Sequence, residues 1–136
     1  QSLNPWDKID RLVDFYVEKI ISNNKFHNII SVHSGQLSSP EIRELITKMK
    51  LRNLEQIRKI IQDGQKKKFF RKVDIEFTMG SVMGTISQLT LLKNFYCSLL
   101  NIDKTDEEVY RKKVIVRLKT HLKQLLRAHL DIRNEA

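Results

Sequence analysis

Apolar residues recur at spacings of three and four along most of the chain, the period of an amphipathic helix. Trp6, Ile9, Val13, Tyr16, Val17 and Ile20 line one face of a first helix, with Asp7, Arg11, Asp14 and Glu18 opposite. Asn4 is placed to cap it, Pro5 to occupy its first position, and Asp7 to favour its first turn. Ser22-Asn23-Asn24 breaks the pattern. A short second segment over residues 25–34 groups Phe26, Ile29, Ile30 and His33.

After a break at residues 35–39, Ser38 and Glu41 have capping-box spacing, and Pro40 suits a first turn. The third helix is expected over about residues 41–63, with Ile42, Leu45, Ile46, Met49, Ile57 and Ile60 on one stripe. Asn53 and Gln56 fall on that same stripe. A buried amide without a partner costs about 1–3 kcal/mol, so these two must bond neighbours, reach solvent at a crossing, or project into a cavity.

Residues 64–100 organise the rest. Gly64 suits the left-handed residue that ends a helix. A basic elbow follows, Lys66, Lys67, Lys68, Arg71 and Lys72 around Phe69 and Phe70. Asp74 can cap a new helix and Glu76 adds charge to its first turn. No proline interrupts residues 75–100, an expected rod of roughly 39 Å. It is apolar on nearly all sides. Met79, Val82, Met83, Ile86, Leu89 and Cys97 make one face; Gly80, Gly84, Ser87, Leu91 and Phe95 make another, where small residues admit a second backbone. A helix apolar all round must be covered all round, and a second copy of the chain is a natural cover.

After a break at residues 101–104, Thr105 and Glu108 form another capping-box pair, and a last helix runs over about residues 106–130. Its stripe is Val114, Leu118, Leu122, Leu125 and Leu126, with His121 and His129 inside it. Lys112, Lys113, Arg117, Lys119, Lys123 and Arg127 are expected on a solvated face.

This pattern makes the chain all-α and, at 136 residues, one domain over 1–136 with a sizeable core. Four glycines and two prolines leave little for strand-and-turn architecture. The single Cys97 excludes an internal disulfide framework and fits a reducing compartment. There is no secretory signal pattern. The most apolar window, residues 82–100, carries Ser87, Gln88, Lys93 and Asn94, so it reads as buried in protein and not in lipid.

The net charge is +9, from 25 Lys+Arg against 16 Asp+Glu, which raises a nucleic-acid reading. Most of it is lysine spread over helix faces, as in a solvated basic surface. Catalytic signatures are missing: no G-x-S-x-G, no phosphate-binding Gly loop, no H-E-x-x-H, no second cysteine for a thiolate metal site. His121 and His129 lie about 12 Å apart along one helix, too far to share a metal. No catalytic residue, metal or cofactor is expected.

The order of elements resembles the C-terminal ligand-binding and dimerisation domain of TetR-family transcriptional regulators. The resemblance covers nearly the whole chain, from the Asn4-Pro5-Trp6 start through the 26–33 segment and the Ser39-Pro40-Glu41-Ile42 opening. Its most telling phrase is Ile60-Ile61-Gln62-Asp63-Gly64-Gln65, then Lys68-Phe69-Phe70-Arg71 and Val73-Asp74, similar to the family's junction ahead of its first dimer helix. The resemblance implies a five-helix effector domain whose last two long helices form an intermolecular four-helix bundle. It implies a cytoplasmic homodimer whose DNA binding is controlled by a small molecule, with operator DNA read only by an N-terminal helix-turn-helix domain that residues 1–136 do not contain.

The family fixes no universal pocket residues. Facing alone nominates Tyr16, Phe26, His33, Met49, Asn53, Gln56, Met79 and Met83 around an apolar ligand. The expected dimer seam comprises Gly80, Gly84, Ser87, Leu91 and Phe95 with Leu118, His121, Leu122 and Leu125. Two other readings are a basic helical nucleic-acid module, using the 66–72 elbow and the 111–127 face, and a purely structural dimerisation domain with a filled core.

Overall fold

A computed structural model describes residues 3–22, 39–103 and 105–134. The 25–34 segment with Phe26 and His33, the Ser38 cap, and the side chains of Ile42 and Ile46 lie outside the described residues. Among the described residues the architecture is all-α, and the extended backbone is limited to an isolated bridge between Phe70 and Asp131.

Helix α1 (Pro5–Ser22) starts as its sequence dictates: Asn4 Oδ1 accepts from the Asp7 N–H at 2.9 Å, one turn into the helix. Ile9, Val13, Tyr16 and Val17 are buried from it, Trp6 and Ile20 partly. Each such aliphatic side chain contributes about 1.5–3 kcal/mol when fully buried. α1 is the central element, packed on α2 (Pro40–Lys66), α3 (Ile75–Leu91) and α6 (Val116–Leu130).

α2 departs from its expected stripe. Ile57 and Ile61 are its core residues, flanked by Leu54 and Ile60, whereas Leu45, Met49 and Leu51 are exposed. Gln56 is exposed and Asn53 half-buried. Only the C-terminal half of α2 lies against the other described helices, so the apolar positions of its first half have no described surface to meet.

The end of α2 also differs from expectation. Gly64 is not left-handed; it lies inside the helix, and Lys68 takes the positive φ of 67°. The Phe69 N–H donates to Gly64 O (2.8 Å) and the Lys68 N–H to Gln65 O (3.1 Å), the paired bonds of a Schellman ending. Gly64 is required for a different reason: a Cβ there would fall 2.2 Å from Cδ2 of Phe70.

α3 begins where Asp74 accepts from the Phe77 N–H at 3.0 Å, as its sequence predicts. The expected continuous rod over 75–100 is interrupted at Leu92 (φ −111°, ψ 35°), after which α4 (Lys93–Leu99) sets off anew. Neither proline nor glycine forces the break; tertiary packing accounts for it. The change of direction lets Cys97 and Ile102 join the core that holds Tyr110, and Lys93 lies over the Tyr110 ring at 4.5 Å while pairing with Glu107 at 3.3 Å.

α5 (Glu107–Tyr110), a π-helical turn (Arg111–Ile115) and α6 follow without a break in helical dihedrals. The cap is Asp106, which accepts from the Val109 N–H, and not Thr105, which donates instead to Asp103 Oδ1. A π turn holds an extra residue and resets the phase of the buried stripe: Tyr110, Val114 and Ile115, then Leu118, Leu122, Leu126 and Leu130. Leu125, His121 and His129, placed inside the stripe by spacing, are exposed. The cations of α6 are not all solvated either. Lys119 Nζ lies 2.7 Å from Glu18, Lys123 Nζ 2.8 Å from Asp14, and the Arg127 guanidinium 4.3 Å above the Trp6 ring. The acidic face of α1 is turned toward α6.

Candidate functional site: an interior cavity and an uncharged outer face

Two places in the fold have the chemistry of a site. The first is inside, where α1, α2, α3 and α6 meet. Tyr16 from α1, Ile57 from α2, Met79 and Met83 from α3 and Leu126 from α6 surround a cavity of about 20 Å³. That is room for a single water, and the walls are apolar. Burial raises the pKa of the Tyr16 phenol above its ordinary value. Of the residues nominated from sequence, Tyr16, Met79 and Met83 come together here. Met49 is 47% exposed on the outer half of α2, and Asn53 and Gln56 do not line the cavity. Leu12, Ile57 and Leu126 do line it; their spacing marked them only as apolar, with nothing to separate wall from core.

The second place is the outer face of α3 and α4 beside α6. Phe77 is 78% exposed, Leu91 56%, Phe95 57% and Leu99 63%. Gly80 and Gly84 are exposed along the same helix, and a Cβ built on either meets nothing within 4 Å. Between Glu76 and Lys93 the sequence carries no charged residue. A water-facing surface of this kind is unusual for a helix that ends in solvent. Ser87 is half-buried, and His121 and Leu125 are exposed on the facing side of α6. Leu118 and Leu122, expected at the dimer seam, are instead part of the chain's own core, Leu122 at 0% exposure. Phe77 and Leu99 extend the exposed apolar face beyond the residues expected from spacing. Phe77 sits in a first turn marked by the charged residues Asp74 and Glu76, and Leu99 lies beyond the interruption at Leu92, which periodicity does not mark.

Two open clefts run between this face and α6. One, of about 270 Å³, is lined by Phe77, Ser81, Leu125 and His129 among others; the second, of about 330 Å³, lies between Thr85, Leu89 and α4 on one side and Lys113, Arg117 and His121 on the other.

The end of the first cleft is fixed by a polar network. Arg71 donates through its backbone N–H to Leu130 O (2.9 Å) and through Nε to His129 O (2.6 Å), satisfying carbonyls that the end of α6 leaves open. The Thr78 hydroxyl donates to Asp74 O (2.7 Å) and so accepts from His129 Nε2 (3.0 Å), which leaves Nδ1 to face the Arg71 guanidinium at 3.4 Å. This chain of donors assigns the neutral Nε2–H tautomer. Burial, and then the charge of Arg71, lower the pKa of His129. Among the described residues no three His, Cys, Asp or Glu side chains gather into a metal-binding group, and no helix is long and apolar enough to cross a membrane.

No curated protein and no solved structure matches the chain. A family model does, over residues 2–91, from the start of α1 to the last residue of α3. Domains of this kind typically serve ligand binding and dimerisation in TetR-type regulators. The chain belongs to the tetracyclin repressor-like C-terminal domain family.

Proposed function

We propose that residues 1–136 are one regulatory domain, the effector-binding and homodimerisation part of a TetR-like transcriptional regulator acting in the cytoplasm. It has no catalytic role, and a helix-turn-helix segment outside these residues reads operator DNA. The observation that carries this is the outer face of α3. An uncharged helix surface with two exposed glycines costs about 1 kcal/mol per glycine relative to alanine and gives nothing back within one chain. It is understandable if a second backbone packs against Gly80 and Gly84, with Leu91, Phe95 and Leu125 around them.

The ligand is a small apolar molecule entering where Tyr16, Met79 and Met83 line the interior cavity. At about 20 Å³ the cavity is too small for such a molecule, so binding requires its walls to move, and flexible methionines are the walls that would give way. A ligand that prefers the opened form shifts the equilibrium toward it. The nucleic-acid alternative has less support, because Arg111, Lys119 and Lys123 are engaged by Glu18 and Asp14 of α1.

Native mass spectrometry tests the dimer: a species at twice 16.1 kDa is expected, and Gly84→Arg should reduce it to monomer. A monomer at micromolar protein would remove the reading. A thermal-shift screen with apolar compounds tests the cavity, and an absence of stabilisers at high concentration would favour a purely structural domain.

A further inference from the structure

We propose that the cleft between α3–α4 and the helix carrying the π turn is a second ligand site, and that it takes a small amphiphilic carboxylate. This goes beyond the interior cavity and stands whether or not that cavity opens.

The inference starts from how the cations of residues 111–123 are used. Arg111 and Lys119 share Glu18, Lys112 pairs with Glu108, and Lys123 pairs with Asp14. Lys113 and Arg117 have no acidic partner among the described residues, and both line the cleft. They are one helical turn apart, about 6 Å along the axis, so one carboxylate can meet both. Arg117 can offer the two parallel N–H donors that fit a carboxylate's two oxygens.

The floor below them is apolar: Leu89, Tyr96, Leu100, Val114 and Leu118. The volume of about 330 Å³ lies in the range of small-molecule clefts, which begin at about 300 Å³. A charged rim on one side over an apolar trough selects a molecule with one anionic end and a hydrocarbon body. A nucleic-acid strand would leave the trough unused and needs positive charge along its whole path. A neutral apolar molecule would leave the two cations unanswered. The π turn lies directly under the rim and includes Lys113. π turns are frequent at functional sites because they re-aim side chains.

The test is isothermal titration of the purified chain with decanoate below its micelle concentration, with decanol as the uncharged comparison. Decanoate should bind, decanol at least about tenfold more weakly, and the double variant Lys113→Ala/Arg117→Ala should weaken decanoate by about tenfold or more. Lys112→Ala, whose cation is paired away from the cleft, should bind as wild type. The substituted positions are exposed, so circular dichroism should be unchanged. Failure of decanoate to bind, or binding that ignores the double variant, overturns the proposal. Binding blocked by Met83→Phe but not by the double variant places the ligand in the interior cavity and also overturns it. Native mass spectra of the same samples report the dimer separately, so loss of one reading is distinguishable from loss of the other.

Discussion

The ring of Phe70 occupies the space where a side chain at position 64 would begin. A Cβ on Gly64 would lie 2.2 Å from Cδ2 and 2.3 Å from Cε2 of that ring. The ring cannot step aside easily: it is 1% exposed and meets Trp6 edge-on at 4.7 Å. Gly64→Ala should therefore destabilise the chain by about 1–3 kcal/mol, the usual cost of overpacking a filled core. Urea unfolding would show a lower midpoint at unchanged slope; an unchanged midpoint would mean that the elbow is looser than described.

Lys68 gives the opposite expectation. It holds the left-handed position of the Schellman ending at φ 67°, where an L side chain costs roughly 1–2 kcal/mol and glycine nearly nothing. The side chain is exposed and its ammonium makes no ion pair among the described residues. Lys68→Gly should raise stability by about 1 kcal/mol in the same assay, less whatever the unfolded chain gains in freedom. A destabilised variant would show that the lysine side chain makes a contact worth more than its backbone strain.

Gly80→Ala separates folding from assembly. In one chain the new methyl meets open space, and alanine in a helix interior is worth about 1 kcal/mol over glycine. The thermal midpoint at high dilution should rise. If a second backbone packs here, the same methyl should weaken the dimer, seen as a larger dissociation constant by sedimentation. A variant that is both more stable and equally dimeric would move the seam away from Gly80.

His129 makes an acid-sensitive fastening between the elbow and the end of α6. Its folded pKa is lowered, by burial first and Arg71 second, so between the folded value and the unfolded value of about 6.5 the unfolded chain binds the extra proton. Stability from this group is complete above about pH 6.5 and declines as pH falls through the folded value. The neighbours that set the balance are Arg71 on the elbow, Thr78 on α3 and the Asp74 carbonyl at its cap. Asp131 beyond α6 is engaged by Arg133, which holds its pKa at about 2. Urea midpoints at pH 5 and pH 8 should differ more in wild type than in His129→Gln. Equal differences would show that the imidazole is not the titrating group.

Much of this fold was legible because local signals agreed with tertiary packing. The Asn4 and Asp74 caps, the buried face of α1 and the run of small residues on α3 each follow from spacing and side-chain chemistry. What was not legible depended on partners distant in sequence. Gly64 has two uses that sequence cannot separate, a left-handed ending or a space for a ring, and only the position of Phe70 decides. Leu92 lacks any breaker beside it, and the residues after it pack with Tyr110, which is distant in sequence. Leu125 has the same spacing as a core residue, and the π turn five residues before Thr120 rotates it outward. For the site, three nominated residues meet at one cavity, but the amides of α2 did not reveal it. An amide on an apolar stripe says only that something polar or open lies nearby, and here the stripe itself turns away from the core.

The exposed outer half of α2 has a mechanical consequence. From Ile57, the first residue of this helix sunk fully into the core, to Pro40 is about 26 Å of rod. Among the described residues that stretch has no fulcrum other than its inner end. A rotation of about 10° at Ile57 would sweep Pro40 through about 4.5 Å. By geometry alone, the displacement from any turn of α2 at its inner end is larger at its tip, in proportion to the length of rod between them.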